Sequence, residues 1–140
     1  MTQGSASTFV FGLAVAGRAV ASALRERGID VVVGDDKLTR EHQSFAQSIG
    51  AHVVEIARDG ELQRVMQSID VLSPAPGVPE NHDVIRCARE NSVSIQSEIE
   101  IAYRMELSRS GGLRPMVAIT GTDGKTTTTL MANAMLRAAG

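Results

Sequence analysis

Thr8-Phe9-Val10-Phe11-Gly12-Leu13-Ala14-Val15-Ala16-Gly17-Arg18, followed by Val31-Val32-Val33 and then Asp35-Asp36-Lys37, is the stretch whose reading decides the fold. Thr8 to Phe11 is a short β-branched and aromatic run of the kind that forms a strand. Gly12 and Gly17 bracket a turn. From Gly17 to Arg27, Ala19, Val20, Ala23 and Leu24 recur at helical spacing on one face, and Gly28 supplies the stop. Val31 to Val33 then reads as a second strand. Strand, glycine turn, helix and strand make a βαβ unit, and a βαβ unit implies a parallel sheet.

The same alternation continues along the chain. The pattern predicts a helix from Glu41 to Ile49 closed by Gly50, a strand at His52-Val53-Val54, a helix from Glu61 to Ser68 and a strand at Val71-Leu72. Pro74-Ala75-Pro76-Gly77-Val78-Pro79 interrupts with three prolines in six residues, a stiff loop unsuited to helix or central strand. Helix resumes over Asp83 to Glu90, a short strand over Val93 to Ile95, and a last helix of this half over Glu98 to Leu107. Ser108-Arg109-Ser110-Gly111-Gly112 reads as a linker. The expected fold class is therefore α/β: a Rossmann-like parallel sheet flanked by helices, with a domain boundary near that linker.

Past the linker, Met116-Val117-Ala118-Ile119 reads as a strand that enters Thr120-Gly121-Thr122-Asp123-Gly124-Lys125-Thr126-Thr127 and an Ala/Met/Leu helix. Two glycines let successive N–H groups point into one hollow, and the helix adds its positive end, so the segment predicts a phosphate loop. Lys125 is placed to reach the β- and γ-phosphates of a nucleotide, and the Thr126 hydroxyl to ligate Mg2+. The first glycine stands at Gly121, so the common GxxxxGK[ST] spacing is not met. The strand-to-helix context is nevertheless the one that the motif requires. Thr127, Thr128 and Thr129 serve equally well as helix-start residues, and Met116, Met131 and Met135 are expected to fill core.

The first turn resembles a dinucleotide-binding loop without its middle glycine, with Ala14 between Gly12 and Gly17. A diphosphate could rest on the amides of Val15 to Gly17 with Arg18 beside it, while Asp35 reads a sugar or base edge. The plainer alternatives are a turn that binds nothing and, for Asp36-Lys37, a solvated pair. The Pro-rich loop lies at the same sheet edge, where it either walls a ligand site or only redirects the chain.

Composition excludes several classes. Fourteen Lys and Arg stand against 16 Asp and Glu, a net charge of −2, so no basic field attracts nucleic acid or an anionic membrane. No run approaches the roughly 18 apolar residues that span a bilayer, and Met1 to Thr8 lacks the features of a signal peptide. A single cysteine, Cys87, cannot form an internal disulfide and is expected to be a buried, inert thiol, consistent with a cytoplasmic protein. His42, His52 and His82 lack metal-ligand spacing and read as ordinary histidines. Glu80 and Asp83 mark a helix start.

Taken in order, these pieces resemble the beginning of a Mur ligase, most closely the branch that adds D-glutamate. The resemblance runs through Thr8 to Arg27, Val31 to Lys37, Ala75-Pro76-Gly77-Val78-Pro79 in place of Ser-Pro-Gly-(hydrophobic)-Pro, Ser97-Glu98-Ile99-Glu100, and the loop Val117 to Thr127. It implies a UDP-substrate-binding domain over residues 1–110 and the incomplete start of a central ATP-binding domain over 111–140, the central and C-terminal domains of the enzyme being otherwise missing. It further implies UDP-N-acetylmuramoyl-L-alanine and D-glutamate as substrates, with ATP and Mg2+ as cofactors. Val15, Ala16, Gly17 and Arg18 would then face the diphosphate, Asp35, Asp36 and Lys37 the uracil, and Pro76 with Gly77 the site wall. Thr122, Asp123, Gly124, Lys125, Thr126 and Thr127 would hold ATP, with Thr126 on Mg2+. No complete catalytic set is expected in this chain, which alone would be inactive. Three departures stand out: Asp123 for Asn, Ala75 for Ser, and Ala14 for a glycine. The competing readings are a nicotinamide-dependent oxidoreductase domain, another Mur or folylpolyglutamate-type ligase, and a binding module without catalysis.

Overall fold

The computed structural model describes residues 7–140. Its first compact unit ends at Leu107 and its second begins at Ser108. The first unit alternates strand and helix: β1 (Thr8–Phe11), α1 (Val15–Arg25), β2 (Val31–Gly34), α2 (Arg40–Ile49), β3 (His52–Val54), α3 (Glu61–Met66), β4 (Val71–Pro74), α4 (Asp83–Glu90), β5 (Ser94–Ile95) and α5 (Glu98–Leu107). The strands form one parallel sheet in the order β3-β2-β1-β4-β5.

This order places β1 at the centre and makes the chain step outward through β2 and β3 before crossing to β4 on the other flank. The loops after β1 and β4 therefore leave the sheet in opposite directions, and a crevice opens at the strands' carboxyl ends between them. Strand alternation sorts the core into two layers. Phe9, Phe11 and Leu72 face α3 and α4 through Val65, Met66, Val84, Ile85 and Ala88. Val10, Val31 and Val33 face α1, α2 and α5 through Val20, Ala21, Leu24, Ala46 and Ile101. Phe9 and Phe11 meet edge-on at 5.9 Å and are almost wholly buried. Side chains of this size contribute about 1.5–3 kcal/mol each on full burial.

The glycine stops behave as the sequence implies: Gly50 caps α2 at φ +65° and Gly28 turns the chain at φ +74°. Boundaries shift elsewhere. Helix α1 starts at Val15 and ends at Arg25, so Val15 and Ala16 are helical residues rather than loop. Its buried face is Gly17, Val20, Ala21 and Leu24; Ala19 and Ala23 instead line a shallow apolar groove against α5. Helix α3 stops at Met66, and β5 lacks Val93. Pro74 belongs to β4 after all. It is tolerated because β5 pairs only with Val71 and Leu72, so one flank of Pro74 needs no ladder donor. Cys87 is buried as expected, with Sγ 3.1 Å from Gln63 Oε1; burial, then the charge of Glu90, push its thiol above the ordinary 9.0 and keep it protonated.

In the second unit α6 spans Lys125–Ala139 and has no buried residue. Met116 to Ile119 does not form the expected strand, because a strand persists only where a neighbour completes its ladder and none lies within this unit. Met116, Met131 and Met135 are likewise exposed rather than core residues.

Candidate functional site

The crevice is built from four loops at the carboxyl edge of the sheet. In the β1–α1 turn, Gly12 adopts φ +94° and donates to the Gly34 carbonyl at 2.9 Å. Gly17 brings α1 against this turn: a Cβ there would lie 1.9 Å from the Gly12 oxygen. Ala14 is the N-cap of α1, and no side chain caps the helix. The N–H groups of Val15, Ala16 and Gly17 occupy its first three positions, where no intrahelical acceptor exists. Val15 is 88% exposed. An uncapped helix start at a topological switch point is suited to a phosphate.

Opposite it, the Ala75 N–H donates to the Phe11 carbonyl at 2.7 Å, and Val78 N–H closes a turn onto Ala75 at 3.0 Å. Pro76 and Gly77 sit exposed on that turn. The two loops approach so closely that a Cβ on Gly12 would fall 2.6 Å from that of Ala75. A small residue at position 75 thus keeps the wall next to the helix start.

Two charged residues expected at the ligand also make contacts within the chain. Asp35 Oδ2 accepts from Leu13 N–H at 2.8 Å and Oδ1 from Lys37 N–H at 3.1 Å, so the carboxylate clips two loops together. Arg18 Nε donates to the Leu13 carbonyl at 2.8 Å, its Nη1 meets Glu41 Oε1 at 2.7 Å, and its guanidinium lies 5.5 Å from the centre of the Phe45 ring. Arg18 braces α1 against α2. Sequence reading could not find this, since a charged side chain next to a glycine turn looks alike whether it serves ligand or loop.

The Arg18 bond, then its charge, hold the Glu41 carboxyl below its ordinary value near 4.5. A carboxyl with a lowered folded value adds stability above the unfolded one and loses it as pH falls through the folded one. The Arg18–Glu41 brace is thus present at neutral pH and released in acid. An NMR titration should place the Glu41 midpoint below 4.5 and Arg18→Gln should return it there; a wild-type midpoint at or above 4.5 would contradict the brace.

Asp36 and Lys37 are exposed. Asp36 faces His82, with Nε2 to Oδ1 at 3.1 Å, and both line a cleft of about 540 Å³ completed by Ile56, Ala57, Leu62 and Pro79. A neighbouring hollow of about 250 Å³ shares Asp36, Ile56 and Ala57 and adds Asp35, Leu38 and Gln43. Sequence reading missed Ile56-Ala57; their position just after β3 was the available signal. It also missed that His82 caps α4, accepting from Val84 N–H at 3.1 Å.

The second unit carries its own glycine turn. Gly124, at φ +76°, is the N-cap of α6 with no side-chain cap, so Lys125, Thr126 and Thr127 present the first N–H groups of that helix. Lys125 Nζ donates to the carbonyls of Gly121 and Thr122, and Thr129 Oγ1 donates to the Lys125 carbonyl at 2.8 Å. Thr122, Asp123, Thr126 and Thr127 are exposed. Among the described residues no group of three or more His, Cys, Asp and Glu side chains is placed to hold a metal ion. No described helix is long and apolar enough to cross a membrane.

A five-stranded parallel sheet with an open helix start at its switch point occurs here in a chain that also carries a glycine–lysine–threonine turn, and the chain is similar in sequence to ligases of the Mur type. Over 130 residues, 93% of its length, it is 36% identical to the UDP-N-acetylmuramoylalanine–D-glutamate ligase of Tropheryma whipplei, of which it spans 26%. Among solved structures it resembles a pseudomurein peptide ligase type C from Methanothermus fervidus, with a TM-score of 0.60 and 26% identity over 96% of this chain and 26% of that one. Saccharopine dehydrogenase from Saccharomyces cerevisiae shares the fold alone, with a TM-score of 0.54 and 18% identity over 66% of this chain and 21% of that one. No protein-family model matches the chain.

Proposed function

We propose that residues 1–110 bind the UDP part of UDP-N-acetylmuramoyl-L-alanine and that residues 111–140 contribute the ATP loop of a cytoplasmic ligase adding D-glutamate in peptidoglycan synthesis. The observation that carries this reading is the uncapped start of α1 at the switch point, facing the Ala75–Val78 turn, in a chain similar to a D-glutamate ligase. In this reading the amides of Val15, Ala16 and Gly17 receive the diphosphate, Pro76 and Gly77 border it, and the Asp36-Lys37 turn lies beside the base. Asp35 and Arg18 act one step back, by fixing the loops that do the binding.

The reaction couples two steps. The substrate carboxylate attacks the γ-phosphorus of ATP, ADP leaves, and the resulting acyl phosphate is attacked by the D-glutamate amine to form an amide and release phosphate. For its part the chain supplies the N–H groups that open α6, together with Lys125, whose ammonium must leave the Gly121 and Thr122 carbonyls to meet phosphate. The exposed Thr126 hydroxyl is an oxygen donor of the kind Mg2+ takes, and it would hold the ion if the nucleotide brought one. Mg2+ bound there would neutralise charge on the transferred group.

Calorimetry with UDP-N-acetylmuramoyl-L-alanine, UDP, NADH and Mg-ATP tests the reading. Saturable binding of the UDP ligands with no heat from NADH is expected; binding of NADH alone would make the chain an oxidoreductase domain. The exposed Asp123 carboxylate adds negative charge beside the polyphosphate. Asp123→Asn should therefore tighten Mg-ATP binding about two- to fivefold at low salt, and less at high salt. Equal affinities at low salt would place Asp123 away from the phosphates.

A further inference from the structure

His82 joins three parts of the crevice that no residue pattern connects. Its ring lies 5.1 Å from that of Phe11 at the end of β1. Its Nδ1 accepts the Val84 N–H that opens α4, at 3.1 Å. Its Nε2 reaches both carboxylate oxygens of Asp36, 46 positions away, at 3.1 and 3.3 Å. The backbone is held as well, since His82 N–H donates to the Pro79 carbonyl and its own carbonyl accepts from Ile85 and Arg86, each at 3.0 Å. Because Nδ1 accepts, the ring proton resides on Nε2 and is given to Asp36. The imidazole is 19% exposed while the Asp36 carboxylate is 61% exposed, so a largely buried ring holds an exposed partner.

We propose that His82 is a positioning residue of the nucleotide site, fixing the Asp35–Lys37 turn through Asp36 and so holding one wall of the 540 Å³ cleft in the shape that receives the base. The inference rests on the UDP reading above and deepens it. Asp35 ties this turn to the β1–α1 loop, and His82 ties it to the β4–α4 loop. With both ties in place the turn is fixed before ligand arrives, and less ordering is left for binding to supply.

Two variants separate positioning from capping. His82→Asn keeps a good N-cap for α4 but is too short to reach Asp36, and Asp36→Ala removes the partner alone. Each should leave the melting temperature near that of the wild type. Each should also shift the amide resonances of Asp35 to Lys37 and weaken UDP binding about five- to tenfold, as expected for one charge-assisted hydrogen bond at a half-exposed site. The double variant should bind UDP no more weakly than either single one. In the wild type the imidazole nitrogen shifts should show Nε2 protonated and Nδ1 bare. Additive losses, unmoved turn resonances or the opposite tautomer would each overturn the proposal. A wild-type chain that binds no UDP while the variants still move the turn would instead overturn the nucleotide reading.

Discussion

Gly17→Ala is expected to be the most damaging single methyl group in the first unit. Helical geometry at position 17 suits alanine, so the effect is purely one of space: the new Cβ would stand 1.9 Å from the Gly12 carbonyl oxygen and 3.1 Å from its carbon. Backbone cannot swing aside there, because the Gly12 N–H is tied to Gly34 and the Phe11 carbonyl to Ala75. Relief requires α1 to lift from β1, which strips contacts from Val20, Ala21 and Leu24 in the buried layer. A loss of about 3 kcal/mol or more is expected, a large part of the roughly 5–15 kcal/mol that holds a domain together. At about 4–8 °C per kcal/mol, the melting temperature should fall by more than about 10 °C. Gly77→Ala is the matched control, since nothing lies within 4 Å of its Cβ position; it should stay within about 0.5 kcal/mol of wild type. Thermal unfolding followed by circular dichroism decides the matter, and equal melting points for the two variants would contradict the packing described.

Asp35→Ala is the second large effect, and it reaches stability as well as binding. Removing the carboxylate leaves the Leu13 N–H without its 2.8 Å acceptor, next to a side chain that is 1% exposed, and releases the Lys37 N–H as well. A part-buried donor left without a partner costs about 1–3 kcal/mol. The variant should therefore unfold at lower denaturant, lose hydrogen-exchange protection at Leu13 and bind UDP more weakly. Asp36→Ala should weaken UDP binding with stability preserved, its carboxylate being mostly exposed. Equal stability of the two variants would show that Asp35 is not a loop clip.

The βα rhythm was legible because each element carries its own signal: β-branched runs for β1, β2 and β3, glycine stops at Gly28 and Gly50, and the Pro-rich break after β4. Strand order was not, since β1 gains its central place from long-range pairing with β2 and β4 that no local pattern encodes. In the site, the glycines signalled the turns that the structure shows at Gly12 and Gly124, while nothing in the sequence signalled the contacts that the charged residues make within the chain. Arg18 and Asp35 illustrate the difference, because their partners Leu13, Glu41 and Phe45 come together only through folding. His82 read as an ordinary histidine for the same reason, its two nitrogens being engaged by Val84 and Asp36 from opposite sides. Met116 to Ile119 shows the converse error: strand propensity was present, but no neighbouring strand in its unit completes a ladder.

The most direct test of nucleotide-sugar binding at the switch point is an amide-resolved NMR titration of the chain with UDP-N-acetylmuramoyl-L-alanine, with NADH in parallel. Saturable shifts at Val15, Ala16, Gly17, Asp36, Lys37 and Gly77 with the UDP ligand, and none with NADH, are predicted. Shifts at those amides with NADH but not with the UDP ligand would contradict it.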